Sequence, residues 1–67
     1  MNQSRINLAD LIVDEFGITG AWARRLIMQG GVRIDNRTVP PAVIDLDPEI
    51  LRGSVITIGR DSHRIFL

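Results

Sequence analysis

From Leu8 onward apolar residues recur three and four apart, at Leu8, Leu11, Ile12 and Phe16, which predicts an amphipathic helix. Asn7 followed by Asp10 has the spacing of a capping box at its start, with Asp in place of the usual Glu, and Gly17 is its expected stop. Thr19 is a second N-cap candidate, leading into a helix through about Gln29. On that helix Ala23, Leu26 and Ile27 share a face with Gly30 and point at the core, while Ala21, Arg24, Arg25 and Met28 fall on the other side. Gly30-Gly31 ends it. The period then changes to two: in Val32-Arg33-Ile34-Asp35 the valine and isoleucine face inward and Arg33 faces out. Asp35-Asn36 is a turn pair that tolerates positive φ, Thr38-Val39 begins the returning strand, and Pro40-Pro41 stops it. Asp47-Pro48-Glu49 supplies an N-cap, a proline at the first helical position and an acid in the first turn, predicting one short helical turn closed by Gly53. Val55 to Ile58 and His63 to Leu67 read as two strands around a Gly59-Arg60-Asp61-Ser62 turn. The expected fold class is α+β: two helices followed by a small antiparallel sheet with one short helical turn, in one domain over residues 1–67 whose first five residues are polar and expected to fray.

Composition narrows the picture. A chain of 67 residues is near the lower limit for a core that folds without help, and this one has no cysteine for a disulfide framework or a thiolate metal site. Apolar residues make up 45% of it, enough for a real core and against disorder. No apolar run approaches the roughly 18 residues of a membrane span, and nothing reads as a signal peptide. A cytoplasmic domain without membrane contact is the expectation.

The net charge is zero, which taken alone argues against a nucleic-acid partner, but the charges are segregated. Residues 20–44 hold Arg24, Arg25, Arg33 and Arg37 against Asp35 alone, a net of +3, flanked by segments of net negative charge. All eight basic residues are arginine, whose planar donor fork suits phosphate oxygens; a G+C-rich coding sequence would produce the same bias.

The run Ala23 to Val39, ARRLIMQGGVRIDNRTV, resembles the S4 RNA-binding domain, whose members typically show a helix with Ala-Arg-Arg-Leu-Ile, a Gln-Gly-Gly-Val corner, a basic residue and an Asn-Gly hairpin. The flanking helix and strands fit the same layout, and the ending Gly53 to Leu67 is similar to the closing strands of the version found at the C-terminus of bacterial tyrosyl-tRNA synthetases. The resemblance implies the helix–strand corner called the alpha-L motif, and with it binding of structured RNA (tRNA or rRNA) through Arg24, Arg25, Arg33 and Arg37. It implies no cofactor. This chain departs from the family pattern at several places: Gly20 stands where a basic residue is usual, Trp22 where glutamate is usual, and Met28 where lysine is common. Asp35-Asn36 replaces Asn-Gly, and Arg60-Asp61-Ser62-His63-Arg64 replaces a more basic cluster.

Those departures sustain a second reading, a protein-interaction module with reduced RNA binding, in which Trp22, Met28 and Ala21 form an apolar patch for a protein partner or a homo-oligomer. Trp22 is the only tryptophan, and its helical position predicts partial exposure: it can cover Leu26 at the core's edge, stack on a base, or anchor a protein contact. Arg24 and Arg25 read equally as a solvated helix face, and Arg33 as protection against edge pairing. DNA binding ranks last, because only Arg24, Arg25 and Gln29 could read bases from the second helix. An enzyme is not expected. Ser62 and His63 are sequence neighbours on a strand, which do not face each other as a nucleophile and base must. A lone histidine offers no metal-ligand set, Asp47 is accounted for as a cap, and Gly30-Gly31 lacks the lysine and the strand-to-helix order of a phosphate loop.

Overall fold

The computed structural model describes residues 4–67, so the part of the expected frayed segment that falls on residues 1–3 lies outside the described residues. Three helices and two antiparallel sheets follow in the order β1 (Ile6–Asn7), α1 (Leu8–Phe16), α2 (Gly20–Met28), β2 (Val32–Ile34), β3 (Arg37–Thr38), β4 (Asp45–Leu46), α3 (Pro48–Leu51), β5 (Val55–Ile58) and β6 (Asp61–Arg64). This is a small α+β domain, and both long helices begin where their caps predict. The Asn7 side chain accepts a hydrogen bond from the Asp10 N–H at 3.0 Å, and Thr19 Oγ1 accepts one from Trp22 N–H at 3.1 Å. At the far end of α1, Gly17 takes a left-handed φ of 67° and its N–H reaches the Val13 carbonyl.

The glycine pair after α2 closes that helix with a Schellman motif. Gly31 N–H donates to Leu26 O at 2.8 Å and Gly30 N–H to Ile27 O at 3.1 Å, with Gly30 left-handed at φ 72°. The chain leaves this corner directly as β2, so the direction of the strand relative to the helix is set by backbone hydrogen bonds.

The main sheet has the strand order β3-β2-β5-β6, and its register decides which side chains share a face. Val32 pairs with Ile58 and Ile34 with Ile56, placing these apolar residues on the side that meets the helices. There they join Leu8 and Ile12 of α1, Ala23 and Ile27 of α2, and Leu51 of α3 in one core that also takes in Val39 and Ile65. His63, opposite Ile56, lies on this same side and packs its ring against Phe16 at the end of α1, with centroids 4.2 Å apart. Arg33, Thr57 and Ser62 form a row on the other face, where the Thr57 and Ser62 hydroxyls are hydrogen-bonded at 2.9 Å.

Three details differ from the sequence expectation. The last strand runs over Asp61–Arg64 rather than His63 to Leu67, because Ile58 pairs directly with Asp61 and leaves only Gly59-Arg60 as the loop. β3 starts one residue earlier than expected, since Asp35 and Asn36 at φ 49° and 67° turn the hairpin in two residues. The small sheet of β1 and β4 was not foreseen: strands of two residues carry no period to read. It is reinforced by Arg5, whose Nε lies 2.8 Å from Asp45 Oδ1.

Candidate nucleic-acid interface

Arg24 and Arg25 leave adjacent positions on α2, about 100° apart around its axis. The Arg24 guanidinium lies back over the start of the helix, its Nη1 3.3 Å from where a Cβ on Gly20 would sit. Gly20 therefore leaves room for a cation as well as lacking one. Arg25 stacks on its neighbour Trp22, with Cζ 5.8 Å from the ring centroid, inside the range of a cation–π contact. Arg33 projects from the face of the sheet opposite the core, alongside its partner Thr38. Arg37 pairs with Ile34 and so emerges from the other face, at the exposed end of the hairpin. The four arginines thus occupy one stretch of chain but leave it in different directions. They wrap the corner instead of forming a single flat patch.

Their electrostatic setting separates them from Arg5, Arg52 and Arg64. Arg5 is paired with Asp45, and Arg52 with Glu49 at 2.6 Å. Arg64 Nη1 donates to the Gly53 carbonyl at 2.7 Å. Among the described residues, Arg24, Arg25, Arg33 and Arg37 enter no ion pair and no side-chain hydrogen bond, a condition shared by Arg60 in the β5–β6 loop. The one acid within the basic segment, Asp35, has its carboxylate engaged with backbone: Oδ1 accepts the Val55 N–H at 3.0 Å.

Trp22 is 45% exposed and Met28 71% exposed, but they do not make the joint patch expected from sequence. Six residues along a helix place two side chains about 120° apart. Trp22 lines a shallow depression with Thr19, Ala21 and Arg25. Met28 lines a separate groove of about 190 Å³ with Ile27, Pro41, Val43 and Ile44, in which Arg24 is the single charged lining residue. Ile44, 69% exposed, was missed by the sequence reading. The signal was present in the unbroken Ala42-Val43-Ile44 run after two prolines, which has neither helical nor strand periodicity.

Ser62 and His63 point to opposite faces of the sheet, the serine toward Thr57 and the histidine toward Phe16 and Glu15, whose Oε1 is 3.7 Å from His63 Nδ1. Alternation along β6 keeps the two apart, so they are no nucleophile–base pair. No group of three His, Asp or Glu side chains able to hold a metal ion occurs among the described residues. No helix there is long and apolar enough to cross a membrane. Compared with known protein families, with curated proteins and with solved structures, the chain matches none of them.

Proposed function

We propose that this chain is an S4-like domain that binds structured RNA in the cytoplasm, using Arg24 and Arg25 on α2 and Arg33 and Arg37 on the hairpin. The observation that carries the reading is the freedom of these four guanidinium groups. An arginine paired with a carboxylate has its charge compensated at close range and part of its donor fork engaged, whereas these four carry neither constraint. Folded RNA is recognised largely through its shape and backbone, and cations wrapped around a rigid helix–strand corner meet phosphates from more than one direction. The neutral total charge limits long-range attraction, so binding is weak and short-ranged.

Filter binding of a tRNA or a hairpin RNA across a salt series tests this. Four phosphate contacts correspond to an affinity loss of roughly 50- to 150-fold between about 50 and 200 mM salt. Changing Arg24 and Arg25 together to alanine should halve the slope of log affinity against log salt. Absence of saturable binding even at the lowest salt would refute the proposal.

A second reading, a protein-interaction module, draws on the exposure of Met28 and Ile44 in one apolar groove. It requires Met28→Gln to abolish self-association or capture of a partner while leaving RNA binding intact. A monomer by light scattering whose partners are unchanged by the substitution would remove it.

A further inference from the structure

Trp22 is a large ring left half exposed at the start of a helix on which Leu26 and Ile27 pack inward and Met28, about 120° away around the axis, opens into a separate groove. Its backbone N–H is capped by Thr19, so the residue is anchored while its ring lies on the surface. Arg25 lies against it, and the depression beside the ring is lined by Thr19, Ala21, Trp22 and Arg25, with no carboxylate. The first turn of α2 contains no acid. An exposed π surface, an arginine without an ion-pair partner and a free hydroxyl hydrogen on Thr19 therefore adjoin one another.

We propose that Trp22 and Arg25 form a stacking subsite for one unpaired nucleobase of the bound RNA, with the base on the open part of the indole ring and Arg25 holding the adjoining phosphate. The inference rests on the RNA-binding reading above and adds to it the kind of RNA. Bases inside a duplex are already stacked on their neighbours and cannot offer a face to the ring, so the subsite selects a looped or bulged nucleotide next to helical RNA. Stacking on an aromatic side chain tolerates any base, so no sequence preference is expected from this position. A nucleotide uses both components of the subsite, the ring through its base and the cation through its phosphate. An apolar protein side chain would use only the ring and leave Arg25 desolvated without a partner.

Because the chain has one tryptophan and no tyrosine, its intrinsic fluorescence reports this single ring. The full chain is titrated at low salt with a hairpin RNA carrying an unpaired loop and, separately, with a blunt duplex of equal phosphate count. Quenching by the hairpin but not by the duplex is expected. In filter binding, Trp22→Ala should lose about tenfold in affinity for the hairpin and little for the duplex, and Trp22→Phe should retain most of the hairpin affinity. Circular dichroism melting of both variants checks that they fold, which the surface position of the ring favours. Salt-dependent binding of the hairpin without quenching, unaffected by Trp22→Ala, would overturn the stacking subsite and leave the arginine interface standing. Failure of both RNAs to bind would overturn the two together. Quenching that grows with protein concentration in the absence of RNA would assign the ring to a protein contact and also overturn the proposal.

Discussion

Gly30 occupies the position after the α2 C-cap, at φ 72°, and its replacement by alanine isolates the cost of the helix–strand corner. An added Cβ would meet Thr38 Cγ2 at 3.7 Å, an ordinary van der Waals distance, so steric conflict contributes nothing. What remains is the left-handed backbone, which costs an L-residue about 1–2 kcal/mol. The Schellman hydrogen bonds to Leu26 and Ile27 prevent the corner from relaxing to a negative φ without losing both. A domain of this size loses roughly 4–8 °C of melting temperature per kcal/mol, so Gly30→Ala should melt roughly 5–15 °C below the wild type. Gly31→Ala is the control. Gly31 is not left-handed, and its Cβ would lie 3.4 Å from Leu26 Cδ2 and from the Leu26 carbonyl oxygen, at the near limit of ordinary van der Waals contact. Its loss should be under about 1 kcal/mol, and Gly30→Asn should fall between the two, since asparagine tolerates the left-handed region. Thermal melts followed by circular dichroism decide the order. Equal melting temperatures for Gly30→Ala and wild type, or a larger loss for Gly31→Ala, would refute the assignment of the corner's energy to backbone conformation.

Other substitutions probe the cap, the core and the charge balance. Asp35→Asn keeps the oxygen that accepts the Val55 N–H while removing the one negative charge of the basic segment. Its melting temperature should be unchanged and its RNA affinity at low salt should rise by about twofold to fivefold, measured by filter binding. Asp35→Ala loses that acceptor and places alanine at φ 49°, for a loss of about 1–3 kcal/mol in urea unfolding. Leu51→Ala removes the one buried side chain of α3 and should cost about 2–5 kcal/mol, enough to leave much of so small a domain unfolded by circular dichroism at 25 °C. Asn7→Ala should cost about 1 kcal/mol and speed hydrogen exchange at the Asp10 amide, whereas Asp10→Ala should do neither, because only its backbone N–H takes part in the cap.

The segregation of charge leaves a neutral chain with four arginines in one segment that carry no ion pair among the described residues. Two of the eight arginines are held in ion pairs, and the local acid Asp35 has one carboxylate oxygen held by the Val55 N–H. Net charge sets behaviour beyond a Debye length, but contact with phosphate depends on which donors are free within a few ångströms. If the chain binds RNA as proposed, such a surface would engage it only at close range, with selectivity set by geometry more than by attraction at a distance.

Local chemistry determined a great deal by itself. The caps at Asn7, Thr19 and Asp47, the glycine corner, the two-residue Asp35-Asn36 turn and the inward faces of α1, α2 and β2 all follow from neighbours within four residues, and helix caps and turns are local hydrogen-bonding problems. The basic stretch from Arg24 to Arg37 and the partial exposure of Trp22 were legible for the same reason. Tertiary structure alone decided matters that rest on pairing between distant residues. The contact of Arg5 with Asp45 spans forty positions, and β1 and β4 are each too short to announce themselves. Strand register placed Arg33 and Arg37 on opposite faces and put Asp61 opposite Ile58. Packing of the 40–44 segment beside α2 placed Ile44 in one groove with Met28. Register and docking depend on burying surface across the whole domain, and a shift of one residue would turn every strand side chain to the other face. Which arginines remain unpaired was therefore decided by the fold, because it depends on where the acids of remote segments come to rest.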